Sequence, residues 1–191
     1  MKVEEKTYHD WMIAKGLQRR EVAPDGHCLF HALAYNEGGN YTYMQLRQLA
    51  ASHMRENAKH FMTYWDEGMK GRNDATVVCG PEGITLEQFK QYCDTLEGKT
   101  EGKTSRSIYG GPMECHALSQ ALDVKITVWQ CCDQEVKVFW EFEQGYGHRK
   151  EKAHIHLTHH KYLHKAYHFN IVEPAPPKVL GGATRRLKAK K

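Results

Sequence analysis

Apolar residues recur at helical spacing through the first part of the chain, and from Asp123 onward they alternate with polar ones. Tyr8, Trp11, Met12 and Ile13 anchor a short helical arm over residues 1–16, and residues 17–23 continue as a short extended piece. Leu29, Phe30, Ala32, Leu33 and Ala34 predict a buried helix that begins at Cys28 and runs out in the polar stretch Asn36-Glu37-Gly38-Gly39-Asn40. Thr42 with Gln45, and Thr85 with Gln88, are capping-box starts, where hydroxyl and amide side chains each satisfy an orphan backbone N–H. The helices they open carry Met44, Leu46, Leu49, Ala50 and Met54 on one apolar face, and Leu86, Phe89, Tyr92, Cys93 and Leu96 on the other. Between them Ala58, Phe61, Met62 and Trp65 mark a further helical patch to Gly68. Gly98 is a C-terminal stop, and Pro112 suits the first turn of a helix that buries Met113, Leu118 and Leu122. Residues 68–83 are expected to form a mobile loop and 97–107 an exposed one.

Val124-Ile126-Val128, Val136-Val138-Trp140, Ile155-Leu157 and residues 166–172 supply four or more strands. Helices first and strands afterwards argue for an α+β fold, a small sheet packed against helices. Pro174-Ala175-Pro176-Pro177 ends the domain, so residues 17–173 are read as its body and 174–191 as a disordered basic tail.

With 191 residues, 26% of them charged and 40% hydrophobic, the chain is long enough for one domain with a proper core. No apolar run is long enough to span a bilayer, and Met1-Lys2-Val3-Glu4-Glu5-Lys6 has no signal-peptide core. The six cysteines include no C-x-x-C pair, which favours reduced thiols in a cytoplasmic compartment. Cys79, Cys93, Cys115, Cys131 and Cys132 then read as small core or surface residues. The net charge of +4 is carried by Arg185, Arg186, Lys188, Lys190 and Lys191. Nucleic-acid contact or nuclear access is therefore expected only through the tail, with no membrane partner and a monomeric chain.

Cys28 is the one cysteine placed for chemistry. Pro24 and Gly26 favour a sharp turn just before it, and the helix that follows would aim unpaired N–H groups at the sulfur, favouring the thiolate. A cysteine nucleophile needs a base, and the base needs orienting. In the strand Ala166-Tyr167-His168-Phe169-Asn170-Ile171-Val172, His168 and Asn170 share a face, so the Asn170 amide oxygen can fix the imidazole and aim its other nitrogen at sulfur. Of the 13 histidines only His168 has this partner, which sets it apart from His116, His160 and His164, although an upstream acid could share the orienting role.

Asp25-Gly26-His27-Cys28-Leu29-Phe30-His31-Ala32 resembles the nucleophile box of the ovarian tumour (OTU) deubiquitinases, D-G-x-C-[LF]-[FY]-x-[AS]. His168-Phe169-Asn170 is similar to their H-[YF]-N box. Tyr109-Gly110-Gly111-Pro112-Met113-Glu114-Cys115-His116-Ala117-Leu118-Ser119 resembles their W-G-G-x-x-E-x-x-A-L-[AS] segment, with Tyr109 in place of Trp. The three boxes come in the family's order and cover residues 17–172. The resemblance implies a papain-like cysteine protease fold, with a small mixed sheet between helices, that cuts ubiquitin, polyubiquitin or a ubiquitin-like modifier after its terminal glycine. It further implies that Asp25 shapes an oxyanion loop with Gly26, His27 and Cys28, that Tyr109 and Gly110 line the channel for the modifier's tail, and that no cofactor is needed.

Two other readings stand beside it. One is an inactive ubiquitin-binding module on the same fold; the other is a nucleic-acid or nucleolar protein acting through the basic tail. His154, His156, His159, His160, His164 and His168 raise zinc as a minority reading, but no cysteine or carboxylate joins them at ligand spacing and the alternation sends several to a solvent face. Val179-Leu180-Gly181-Gly182 resembles the Leu-x-x-Gly-Gly cleavage signature read by this enzyme class and raises self-processing there.

Overall fold

The structure is a computed structural model that describes residues 3–68, 83–98, 109–143, 154–161 and 167–177. The loops expected at 68–83 and 97–107 lie outside this range except at their edges, as do His164, Val179-Leu180-Gly181-Gly182 and the basic tail. The described elements are α1 (Val3–Ala14), β1 (Leu17–Arg20), α2 (Cys28–Asn36), α3 (Tyr43–Glu56), α4 (Ala58–Gly68), α5 (Leu86–Glu97), α6 (Pro112–Leu122), β2 (Lys125–Cys132), β3 (Glu135–Phe142), β4 (His154–Lys161) and β5 (Tyr167–Pro174).

Both capping boxes form. The Gln45 and Gln88 N–H groups each donate to the preceding Thr hydroxyl at 3.2 Å, and the Thr42 and Thr85 N–H groups donate back to the Gln side chains at 2.8 and 2.9 Å. Gly98 ends α5 in the left-handed conformation at φ 79°. Leu86 and Met44 depart from their expected burial: Leu86 is 50% exposed, and the buried face of α5 begins at Phe89. Both residues sit in first turns, where side chains lean back past the end of the helix.

The five strands form one mixed sheet in the order β1-β5-β4-β2-β3. Only the β2/β4 pair is parallel. The β2–β3 hairpin turns on Asp133 and Gln134, both at positive φ, the geometry that matches strand twist in a two-residue loop. Ladder register sorts the side chains by face. Ile126, Val128, Ile155, Leu157, Phe169 and Ile171 fall on one face and join α2, α3, α5 and α6 in the main core. Thr127, Trp129, His156, Thr158, His160, His168 and Asn170 fall on the other.

Helix α1 covers that second, polar face. Tyr8 is fully buried; its hydroxyl accepts from the Cys131 N–H at 2.8 Å and donates to the His159 carbonyl at 2.8 Å, while Trp11 packs on Trp129. With both faces covered, β4 is an interior strand, and this overturns the solvent face expected for its histidines: His159 and His160 are buried and only His154 is exposed.

Candidate active site

β1 pairs with β5 only from Ile171 to Pro174, which leaves the earlier part of β5 without a strand on that side. The segment after β1 fills the gap. The Val22 N–H donates to Asn170 Oδ1 at 2.9 Å, and the turn then delivers the start of α2 against β5. Gly26 makes this turn at φ 86°, where a side chain would be strained. The backbone N–H groups of Phe169, Leu29 and Cys28 itself act on the Cys28 sulfur in the sense that favours the thiolate.

Phe169 stands between His168 and Asn170 on β5, so the packing of α2 on this strand sets the thiol near the residue beside the imidazole. His168 Nε2 lies 3.0 Å from Asn170 Oδ1, both side chains being buried. An amide oxygen only accepts, so Nε2 carries the proton and Nδ1 is left as the basic nitrogen. Burial pushes the Cys28 thiol up, with a further push from Asp25, and the three N–H groups offset this only in part. The thiolate preference expected from the helix terminus is therefore reversed by desolvation, and ionising this thiol would need a proton acceptor.

Asp25 ties the turn together. One carboxylate oxygen accepts from the His27 N–H at 2.8 Å, and the other bonds His31 Nε2 at 2.9 Å. Burial opposes its ionisation, but the His27 N–H and the His31 ring outweigh that and hold the carboxyl below its ordinary range. Gly110 packs on the first turn of α2 so closely that a Cβ there would lie 2.4 Å from Leu29 Cδ2. Tyr109, just before it, is 47% exposed.

A family model described as OTU-like cysteine protease matches residues 23–169. The chain belongs to this family. Among curated relatives it is 26% identical to mouse OTU domain-containing protein 6A, over 84% of this chain and 47% of that protein. It is 30% identical to Xenopus laevis deubiquitinase OTUD6B, over 60% of this chain and 34% of that one. The chain thus spans less than half the length of either relative. The OTU domain of OTUD1 superposes with a TM-score of 0.61 at 15% identity, covering 90% of this chain and 95% of that one. A ubiquitin-bound OTU from Hazara virus superposes at 0.50 and 20% identity, covering 85% and 84%. The fold is therefore the α+β, papain-like fold of OTU proteases.

Two buried charged residues, Glu114 and Arg47, do work that the sequence did not reveal. Glu114 is fully buried: it accepts from the Gly111 N–H at 2.7 Å and from the Tyr92 hydroxyl at 2.5 Å, fixing the Gly110-Gly111 strip against α2. Arg47, on the buried side of α3, donates to the Leu96 carbonyl at 2.8 Å and to His27 Nδ1 at 3.2 Å. Burial, first, and Arg47, second, keep the His27 ring neutral. An Arg at i to Ala50, Ala51 and Met54 on a core-facing helix was the available signal. Two further histidines of β4 are committed elsewhere: Trp129 Nε1 donates to His156 Nδ1 at 3.2 Å, and His154 bonds the Thr127 hydroxyl at 2.8 Å. Among the described residues no three ligand-type side chains are placed to hold a metal ion. No described helix is long and apolar enough to cross a membrane.

Proposed function

We propose that this chain is a thiol isopeptidase that hydrolyses the bond after the C-terminal glycine of ubiquitin or a ubiquitin-like modifier. Supporting it are the family membership, the relatives named as deubiquitinases, and the neighbours whose structures hold ubiquitin. The observation that carries it is the packing of α2, which begins at Cys28, against β5, where Asn170 holds the His168 ring at 3.0 Å. His168 Nδ1 takes the thiol proton, Cys28 attacks the glycine carbonyl, and His168 then protonates the leaving lysine amine before water clears the acyl-enzyme. Asn170 fixes the imidazole, and Asp25 shapes the oxyanion loop. Because the His27 N–H is already given to Asp25, the Cys28 N–H is the first candidate for the oxyanion, such donors being worth about 2.7–4 kcal/mol elsewhere. Tyr109 and Gly110 border the channel that takes the modifier's tail. We assign residues 17–173 to the catalytic domain, which works as a monomer in the cytoplasm, with 1–16 as its arm and 174–191 as a dispensable tail that offers nuclear access.

The test is labelling by ubiquitin carrying a C-terminal electrophile, run beside hydrolysis of a ubiquitin–fluorophore substrate. Wild type forms an adduct at Cys28 and turns over, whereas Cys28→Ala and His168→Ala do neither. Binding without an adduct would make the chain an inactive ubiquitin-binding module and sink the proposal.

A further inference from the structure

The polar face of the sheet repeats the His168–Asn170 arrangement one strand further in. On β4, His160 Nε2 lies 3.0 Å from the Thr158 hydroxyl, two residues away as Asn170 is from His168. In the ladder Thr158 stands directly opposite Asn170, and His160 directly opposite His168. All four side chains are buried. Beyond His160, Glu5 of α1 places a carboxylate oxygen 3.7 Å from its Nδ1, and the Tyr8 ring packs on the imidazole at 4.4 Å.

One atom in this group has no hydrogen-bond partner among the described residues: the buried Asn170 Nδ2. An amide N–H2 left dry and unpaired costs about 1–3 kcal/mol. The residue facing it is Thr158, whose hydroxyl oxygen can accept while its proton is donated onward.

We propose that Asn170 Nδ2, unpartnered as the side chains stand, takes Thr158 Oγ1 as its acceptor, so that His168, Asn170, Thr158 and His160 form one hydrogen-bond chain, with the Glu5 carboxylate beyond its outer end, that positions the imidazole from the far side of the sheet. Donors and acceptors run in a single sense along it. His168 Nε2–H gives to Asn170 Oδ1, Asn170 Nδ2–H to Thr158, Thr158 Oγ1–H to His160 Nε2, and His160 Nδ1–H points at the Glu5 carboxylate. Each link polarises the next among side chains that are all buried. The charged and titratable groups facing His160 are Glu5 from α1, Arg19 from β1, His159 on its own strand and His168 from β5. Its burial pushes it down to about 3, so it stays neutral and adds no positive charge beside His168. On this reading α1 belongs to the working site: Tyr8 and Glu5 close over the outer end of the chain. Thr158 and His160 are positioning residues, and the inference rests on the isopeptidase reading for its kinetic consequence only.

Two measurements on the full chain test it. In the first, imidazole nitrogen shifts of 15N-labelled protein, with His160 assigned by its loss in His160→Gln, report its tautomer. The chain requires Nδ1–H, and Nε2–H overturns it. Glu5→Ala, at a partly exposed position, should move His160 towards mixed tautomers; an unchanged ratio removes Glu5 and the α1 role. In the second, Thr158→Val should lower kcat on a ubiquitin–fluorophore substrate about fivefold with KM unchanged, the loss of one neutral hydrogen bond, and Thr158→Ser should restore it. A folded Thr158→Val with wild-type kcat overturns the proposal, and if that variant does not fold the tautomer result decides. Inactive wild-type protein would refute the isopeptidase reading, while the tautomer still judges the chain.

Discussion

Gly110→Ala tests whether the strip before α6 sets the position of the nucleophile. The added Cβ would meet Leu29 Cδ2 at 2.4 Å, Leu29 Cβ at 3.0 Å and Phe30 Cε2 at 3.1 Å. Leu29 Cδ2 can swing aside, but Leu29 Cβ moves only with the backbone of α2, one residue from Cys28. Overpacking of this kind costs roughly 1–3 kcal/mol, and the smaller conformational freedom of unfolded Ala returns about 0.4–1 kcal/mol. A net loss of about 0–2.6 kcal/mol is expected, read as an equal or lower urea midpoint at unchanged m. The larger effect is on rate, because displacing a reacting group by about 1 Å costs on the order of a hundredfold. Gly39→Ala is the control: its φ of +79° makes any side chain strained, yet nothing lies within 4 Å of the new Cβ. Strain there should cost about 1–2 kcal/mol and leave kcat/KM alone. Equal activity losses in the two variants, or a Gly110→Ala protein as active as wild type, would refute the packing account.

Asn170→Ala should give a graded loss of hydrolysis, smaller than that of His168→Ala; a silent Asn170→Ala would mean another group orients the imidazole. Glu114→Gln offers one amide oxygen where Gly111 and Tyr92 each donate to a carboxylate oxygen, and should cost about 1–3 kcal/mol by chemical denaturation. Tyr8→Phe strips a buried hydroxyl bonded to Cys131 and His159, and a similar loss of about 1–3 kcal/mol is expected, with an unchanged midpoint counting against α1 as part of the core. Acid stability follows from His160: burial sets its folded value at about 3, below the ordinary 6.5, so the unfolded chain binds its proton first. Its contribution is intact above pH 6.5 and is lost as pH falls towards 3. The slope is at most about 1.4 kcal/mol per pH unit, which His160→Gln should remove from a series of denaturation curves.

Local rules were enough for much of this protein. The capping boxes at Thr42 and Thr85, the glycine stop at Gly98, the alternation that marks the strands and the pairing of His168 with Asn170 on one face are all set by residues a few positions apart, whose geometry the backbone period dictates. The α+β architecture and the OTU family were legible for the same reason, since the boxes are contiguous. What tertiary structure alone decided involves partners far apart in sequence. The desolvation that raises the Cys28 thiol, the burial of Glu114 and Arg47, and the covering of the polar sheet face by α1 depend on which surfaces meet. The histidines of β4 show the difference best. Their alternation was plain from the sequence, but whether the face of His156 and His160 meets water depends on a helix more than a hundred residues away, through the Tyr8 ring packed on His160. Period fixes which side chains share a face; only packing decides whether that face is wet.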